Sequence, residues 1–235
     1  MALAGTAALA MWWDIAAEVR ADFEHWHAHE HFPERLSTPG FLRASRWRSS
    51  DGGDGMFVLY ELADHGVLHS PAYVSRLNAP TSWSTRLMPH HRNMVRTQCR
   101  VLESRGSLTA ASVLTVRLTP AVGREASLRL GLRNLCKQAP SRAGLTGLHL
   151  LRHEPPPLEA TTEQGLRGHA DAAADWVLIA SGYDRGAVAA LAAGELGEPA
   201  LVAMEAMPGA FAHGLFDLAY AAIPTDVEGI ASNMH

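Results

Sequence analysis

Apolar positions along the chain switch between strand and helix spacing, and the order of the switches occurs twice. Ala7 to Ile15 is a strand-length apolar run; from Ala16 to Glu30 the apolar residues Val19, Phe23 and Trp26 follow helical spacing. Pro39-Gly40 opens a strand, FLRASRWRS, and the turn Asp51-Gly52-Gly53-Asp54-Gly55 leads into another, MFVLYEL, which predicts a hairpin. Helices are predicted from Ser70 to Asn78 and from Ser82 to Met88, the second stopped by Pro89, and Val95 to Glu103 reads as a strand. This first pass gives βαββαβ.

From Ser112 the order returns as strand SVLTVRL, helix REASLRLGLRNLCKQ, strands GLHLLRH and DWVLIASGYD, helix RGAVAALAAGEL and strand AHGLFDLAYAAI. PGFLRASRW resembles TGLHLLRHE, and MFVLYELAD resembles DWVLIASGYD, as an internal duplication would leave them. A four-stranded antiparallel sheet with helices on one face needs its other face covered, and a second copy of the sheet covers it. The expected fold is therefore α+β: two tandem ferredoxin-like βαββαβ halves, residues 1–106 and 107–235, closing into one barrel. Pro155 to His169 is polar and aperiodic and is expected to be a loop insertion in the second half. Thr225 to His235 is expected to be a frayed tail.

Composition changes this picture little. A chain of 235 residues, 47% hydrophobic and 19% charged, can bury the cores of two such halves. The net charge of -4, with no interleaving of aromatics and basic residues, disfavours a nucleic-acid partner. The opening MALAGTAALAMWW lacks a positively charged start and runs into Trp12, Trp13 and Asp14, which fits a buried strand better than a secretion signal. No stretch has the roughly 18 to 20 uninterrupted apolar residues of a membrane span, so no membrane partner is expected. Cys99 and Cys136 have no CxxC or CxxH company, which excludes a disulfide framework or zinc ribbon and points to the reducing cytoplasm.

Candidate chemistry concentrates in FEHWHAHEHFPERLSTPGFLRASR. With 100° per residue and Val19, Phe23 and Trp26 as the buried stripe, Glu30 falls near its centre, His27 within it and His31 on its flank, while His25 and His29 face solvent. A stripe that turns polar at a barrel rim holds partly desolvated ionisable groups, whose pKa values shift towards working pH. The plainer alternative is a set of hydrogen-bonded rim residues with Glu30 and Glu34 paired to Arg35 or Arg43. A second polar wall is offered by Arg86-Leu87-Met88-Pro89-His90-His91-Arg92-Asn93, from which His90 or His91 and Asn93 are candidate contributors, against the reading that this is a helix end capping its own carbonyls. Tyr60, Trp47, Trp83 and Arg46 are further lining candidates, against the reading that they are core.

His27 and His31, four apart on one face, have a metal-compatible spacing, but HAHEH contains no HExxH, and no metal is expected. His149, His153, His169 and His213 stand isolated, and nothing marks any of them as a haem ligand. No G-x-G-x-x-G opening a βαβ unit, P-loop or G-x-S-x-G elbow occurs, which disfavours nucleotide chemistry and serine hydrolysis.

The pattern Trp26-x3-Glu30-His31-x-Pro33-Glu34-Arg35 followed by Pro39-Gly40-Phe41 resembles the signature region of the dimeric α+β barrel superfamily, and within it the EthD-like proteins. The resemblance covers about the first 100 residues in motif and the remainder in architecture only. The resemblance implies a small-molecule enzyme, in a superfamily that includes cofactor-free enzymes and haem proteins alike; no cofactor is expected here, and His31, in the position of the histidine that follows the helix in EthD-like members, is the expected acid/base. The second half has no such motif in its first helix, so one site per chain is expected.

The leading expectation is lyase, isomerase, dehydratase or decarboxylase chemistry on a hydrophobic aromatic or polyketide-like carbonyl compound. In it His31 moves a proton, Glu30 or Glu34 orients it, and Trp26, His27, Arg46, Tyr60, His90 and Asn93 line the substrate, with Asn93, Arg46 or the Trp26 indole as oxyanion donor. Two alternatives share the fold: a haem- or metal-dependent oxidoreductase or dehydratase, and a non-catalytic ligand-binding or stress-response module. Assembly into a homo-oligomer through exposed helices or strand edges is compatible with either.

Overall fold

The computed structural model describes residues 3–228. The first half runs β1 (Ala7–Asp14), α1 (Ala17–Trp26), α2 (Phe32–Leu36), β2 (Phe41–Ser49), β3 (Gly55–Leu62), α3 (Pro71–Asn78), α4 (Ser82–Leu87) and β4 (Arg92–Gly106). The second runs β5 (Ser112–Pro120), α5 (Glu125–Gln138), β6 (Leu145–His153), α6 (Thr162–Arg167), β7 (Trp176–Gly182), α7 (Arg185–Ala193), α8 (Glu198–Ala203) and β8 (Ala206–Ala222), followed by the short α9 (Pro224–Val227).

The eight strands close into one antiparallel barrel in the order β1-β3-β2-β8-β5-β7-β6-β4. Read around the ring, this is β4-β1-β3-β2 joined to β8-β5-β7-β6, the same ferredoxin-like order twice, with seams at β2·β8 and β4·β6. The expected α+β architecture of two ferredoxin-like halves is thus the observed one.

β1 shows why its sequence is apolar without alternation. Leu9, Met11 and Trp13 face the helices of the first half, while Ala8, Ala10 and Trp12 face the barrel interior, so both faces are dry. The interior is filled by side chains of both halves, among them Trp12, Trp47, Phe57, Val113, Val177 and Phe216. Across it the Trp12 indole N–H donates to Thr115 Oγ1 at 3.1 Å. Trp47 is therefore a core residue stacked on Phe57, not a pocket residue.

Three segments differ from the sequence reading. The helix expected to run unbroken from Ala16 to Glu30 ends at Trp26 and continues as a π-turn, His27–His31, before α2. Pro33 explains the widening: it has no N–H to offer the His29 carbonyl, and the Phe32 N–H reaches back five residues to the His27 carbonyl instead. The stretch Pro155 to His169, expected to be loop, contains α6, started by a reciprocal cap between Thr161 and Gln164. The expected tail from Thr225 carries most of α9 and buries Val227, while residues 229–235 lie outside the described residues.

Candidate active site

A narrow cavity of about 40 Å³ lies in the first half, between the outer face of β1, β3 and β4 and the helices α1–α2, α3 and α6. Its apolar walls include Leu9, Leu77, Met11, Met88 and Met94. A wall with three methionines adapts to ligands of different shape more readily than one of branched side chains. Its polar groups include His27, His31, His91, Arg35, Arg96, Tyr60, Tyr73, Glu163 and Arg167.

The π-turn decides which histidines enter. The extra residue per turn rotates the following positions backwards relative to a regular helix, so His27 and His31 both turn inward, 1% and 7% exposed, with ring centroids 5.3 Å apart. Glu30, expected at the centre of the stripe, is displaced instead. Its carboxylate accepts from the Trp26 indole at 3.0 Å, from Ser84 and from Thr81, and it does not line the cavity. Trp26 in turn lies against His31, with centroids 4.6 Å apart, and supports that ring from behind.

Burial holds the pKa values of His27 and His31 well below the ordinary imidazole value, and nearby positive charge adds to this: Arg46 most strongly for His27, Arg35 for His31. Both rings are therefore neutral at pH 7. Among the described residues the Nδ1 atom of each is buried without a hydrogen-bond partner, as are the Tyr60 hydroxyl and the Trp13 indole nitrogen. Each such atom costs about 1–3 kcal/mol unless a ligand or water satisfies it.

His91 completes the group. Its Nδ1 lies 3.1 Å from the Met88 carbonyl, which fixes the neutral tautomer with the proton there and leaves Nε2 as an acceptor. Burial pushes its pKa down to about 4. Its neighbour His90 is exposed, so of the two histidines considered in this run the structure selects His91.

Arg35 is the most deeply buried of the cations lining the cavity. Its guanidinium donates to Glu34 at 3.1 Å and to Glu163 on α6, and it lies over the Tyr73 ring. Burial pushes the Glu34 carboxyl up, with Arg35 acting in the opposite direction. Glu34 Oε2 is 4.0 Å from His31 Nδ1, too long for a hydrogen bond but within reach after a small movement.

Two other expected lining residues stand elsewhere. Asn93 is exposed, at a φ of 54° that asparagine tolerates, and donates to Asp14 at 2.7 Å beside the β1 bulge. Arg46 is buried behind Phe23, donating to the Glu24 carbonyl at 3.3 Å, and acts on His27 only through its charge. Neither reaches the cavity, so neither is the oxyanion donor. Tyr60 and His27 do line it.

The residues missing from the sequence reading come mainly from α6 and its flanks: Thr161, Glu163, Gln164 and Arg167. The signal was present as Thr161-x-x-Gln164, a capping pair inside a stretch otherwise read as loop. Arg96 and Tyr73 carried no motif.

The donor set of a metal site is partly assembled, since ligand atoms of His31, Glu34 and Glu163 lie within 4.8 Å of one another. Arg35 bridges both carboxylates and takes the cation's place, so these residues do not fit a metal as they stand.

No family model and no curated protein matches the sequence. Solved structures do match in shape. A candidate monooxygenase of Fusobacterium nucleatum superimposes with a TM-score of 0.62 at 6% identity, over 94% of this chain and 95% of the other. An anthrone oxidase-like protein gives 0.60 at 12% identity, over 95% and 96%. A candidate chlorite dismutase gives 0.52 at 9%, over 98% and 100%. The fold is that of the dimeric α+β barrels. At these identities the likeness concerns the fold alone. Among the described residues no helix is long and apolar enough to cross a membrane.

Proposed function

We propose that this chain is a small-molecule enzyme whose reaction begins when a neutral imidazole, His31 or its neighbour His27, removes a proton from a carbon next to a carbonyl group. The observation that carries this reading is the pair of buried, uncharged histidines lining one cavity, each with an unpartnered Nδ1. Proton removal turns imidazole into imidazolium and substrate into enolate. Tyr60, whose hydroxyl has no partner among the described residues, donates to the developing oxygen charge in this reading. Glu34 positions His31, Glu30 acts through Trp26, and the methionine-lined walls suit a hydrophobic, aromatic or polyketide-like body.

The enolate has two fates. Reprotonation at another position gives isomerase chemistry, and loss of a β leaving group gives lyase or dehydratase chemistry; a decarboxylase would reach the same enolate by loss of carbon dioxide in place of a proton. Reaction with dioxygen gives oxygenation without a cofactor, and the shape likeness to proteins described as monooxygenase and anthrone oxidase-like favours testing it. Within the fold, the Trp26-to-Phe41 motif supports an EthD-like affinity, and the repeated strand order supports descent from a duplication with halves 1–106 and 107–235. The buried free thiols Cys99 and Cys136 fit a cytoplasmic location.

The test is to incubate the protein with aromatic 1,3-dicarbonyl compounds and anthrones in D2O, following deuterium entry at the acidic carbon and dioxygen uptake. Catalysed exchange that falls about 100-fold or more in His31→Gln supports the reading. Exchange with oxygen uptake selects the oxidative fate. Full turnover by both His31→Gln and His27→Gln would sink it.

A further inference from the structure

Three arginines line the cavity, and their partners differ. Arg35 is saturated by Glu34 and Glu163. Arg167 is held by both oxygens of Asp171, at 3.0 and 2.6 Å. Arg96, on the helix-facing side of β4 beside Met11, is only 9% exposed, yet among the described residues no carboxylate lies within 4.0 Å of it. Its one side-chain hydrogen bond among the described residues runs from Nη2 to the Tyr73 hydroxyl, at 3.2 Å.

A guanidinium keeps its charge in any protein environment, and burying it without a counter-charge is costly. At a structural position the compensating carboxylate would be expected in the fold, as it is for the other two. Tyr73 sharpens the point. Its oxygen accepts from Arg96, so its own proton remains available, and Arg96 has further N–H donors in a planar fork. Both residues border the same cavity as the group of neutral imidazoles.

We infer that the ligand of this cavity carries an anionic oxygen group, a carboxylate or equivalent oxyanion, seated on Arg96 with Tyr73 as second donor. The inference rests on reading the cavity as a ligand site and not on proton transfer by the histidines. It narrows the substrate class to hydrophobic acids and gives the substrate an orientation, with its charged end on β4 and its reactive carbon towards His27 and His31.

The experiment is isothermal titration of the full chain, at fixed ionic strength and pH 7.5, with acetate, propionate and benzoate and with their neutral amides. At least one carboxylate is expected to bind about tenfold or more tightly than its amide. Arg96→Gln should bring that pair to equality, and Tyr73→Phe should reduce the preference while keeping the packing. Arg100→Gln, at an exposed pair with Glu154, should keep the preference. The inference is overturned if no carboxylate outbinds its amide, or if folded Arg96→Gln or Tyr73→Phe protein keeps the full preference. His31→Gln should lose deuterium exchange and retain the carboxylate preference, so the two readings fail separately.

Discussion

Arg35 and Glu163, 128 positions apart in the chain, form a buried ion pair that fastens α6 of the second half over the cavity of the first. The inserted segment is thereby a wall of the site. Its backbone continues the attachment, with the Arg96 N–H donating to the Ala172 carbonyl at 2.8 Å and the Ala172 N–H to the Met94 carbonyl at 3.0 Å.

Removing Arg35 leaves two carboxylates facing each other in a dry place. Arg35→Ala is expected to cost about 3–5 kcal/mol in urea unfolding. Glu163→Ala is expected to cost less, because Arg35 keeps Glu34. Its specific signature is faster amide exchange across residues 161–171, with the barrel strands unaffected. Unchanged protection in that segment would show that the pair does not hold α6.

Acid stability follows from the histidines. His91 and His149 resist protonation until about pH 4 in the folded chain, while in the unfolded chain each takes a proton near pH 6.5. The unfolded state therefore gains protons first as pH falls. Stability should drop between pH 6.5 and 4, by up to about 3 kcal/mol for each of these two groups, and should be indifferent to them above pH 6.5. His27 and His31 act in the same direction. Glu34 and Glu61, whose carboxyls burial pushes up, act oppositely from pH 4.5 upward. His91→Gln should flatten the slope of unfolding free energy against pH below 6.5. An unchanged slope would place the His91 pKa near that of a free imidazole.

Glu30 separates a supporting role from a catalytic one. Its carboxylate is engaged with Trp26, Thr81 and Ser84 outside the cavity. Glu30→Gln should lower stability by about 1 kcal/mol and leave the pH dependence of turnover unchanged. A shifted pH profile would return Glu30 to direct partnership with His31.

The architecture was legible in the sequence because strand and helix periods are local and occur twice in the same order. The segment FLRASRWRS coincides with β2 residue for residue, and MFVLYEL matches β3 to within one position. The site was legible only where its residues lay in one segment. Helical stepping placed His27 correctly, but it assumed a regular turn through His31, and the π-turn before Pro33 moved Glu30 out and His31 in. His91, Arg96 and Tyr73 meet His27 only through tertiary packing, and Glu163 arrives from the other half of the chain. No periodicity within either half encodes those meetings. Only the Thr161–Gln164 cap was open to local reading.

Acceptance of the substrate's proton by a cavity histidine can be measured without a turnover assay. Nitrogen-15 NMR of histidine-labelled protein reads protonation directly, free at pH 7 and saturated with an aromatic 1,3-diketone that forms a stable enolate. Neutral rings are expected at His27, His31 and His91 in the free protein, with one new imidazolium, absent in His31→Gln or His27→Gln, in the complex. Imidazolium at these positions in the free protein, or a bound enolate with all three rings still neutral, would contradict this expectation.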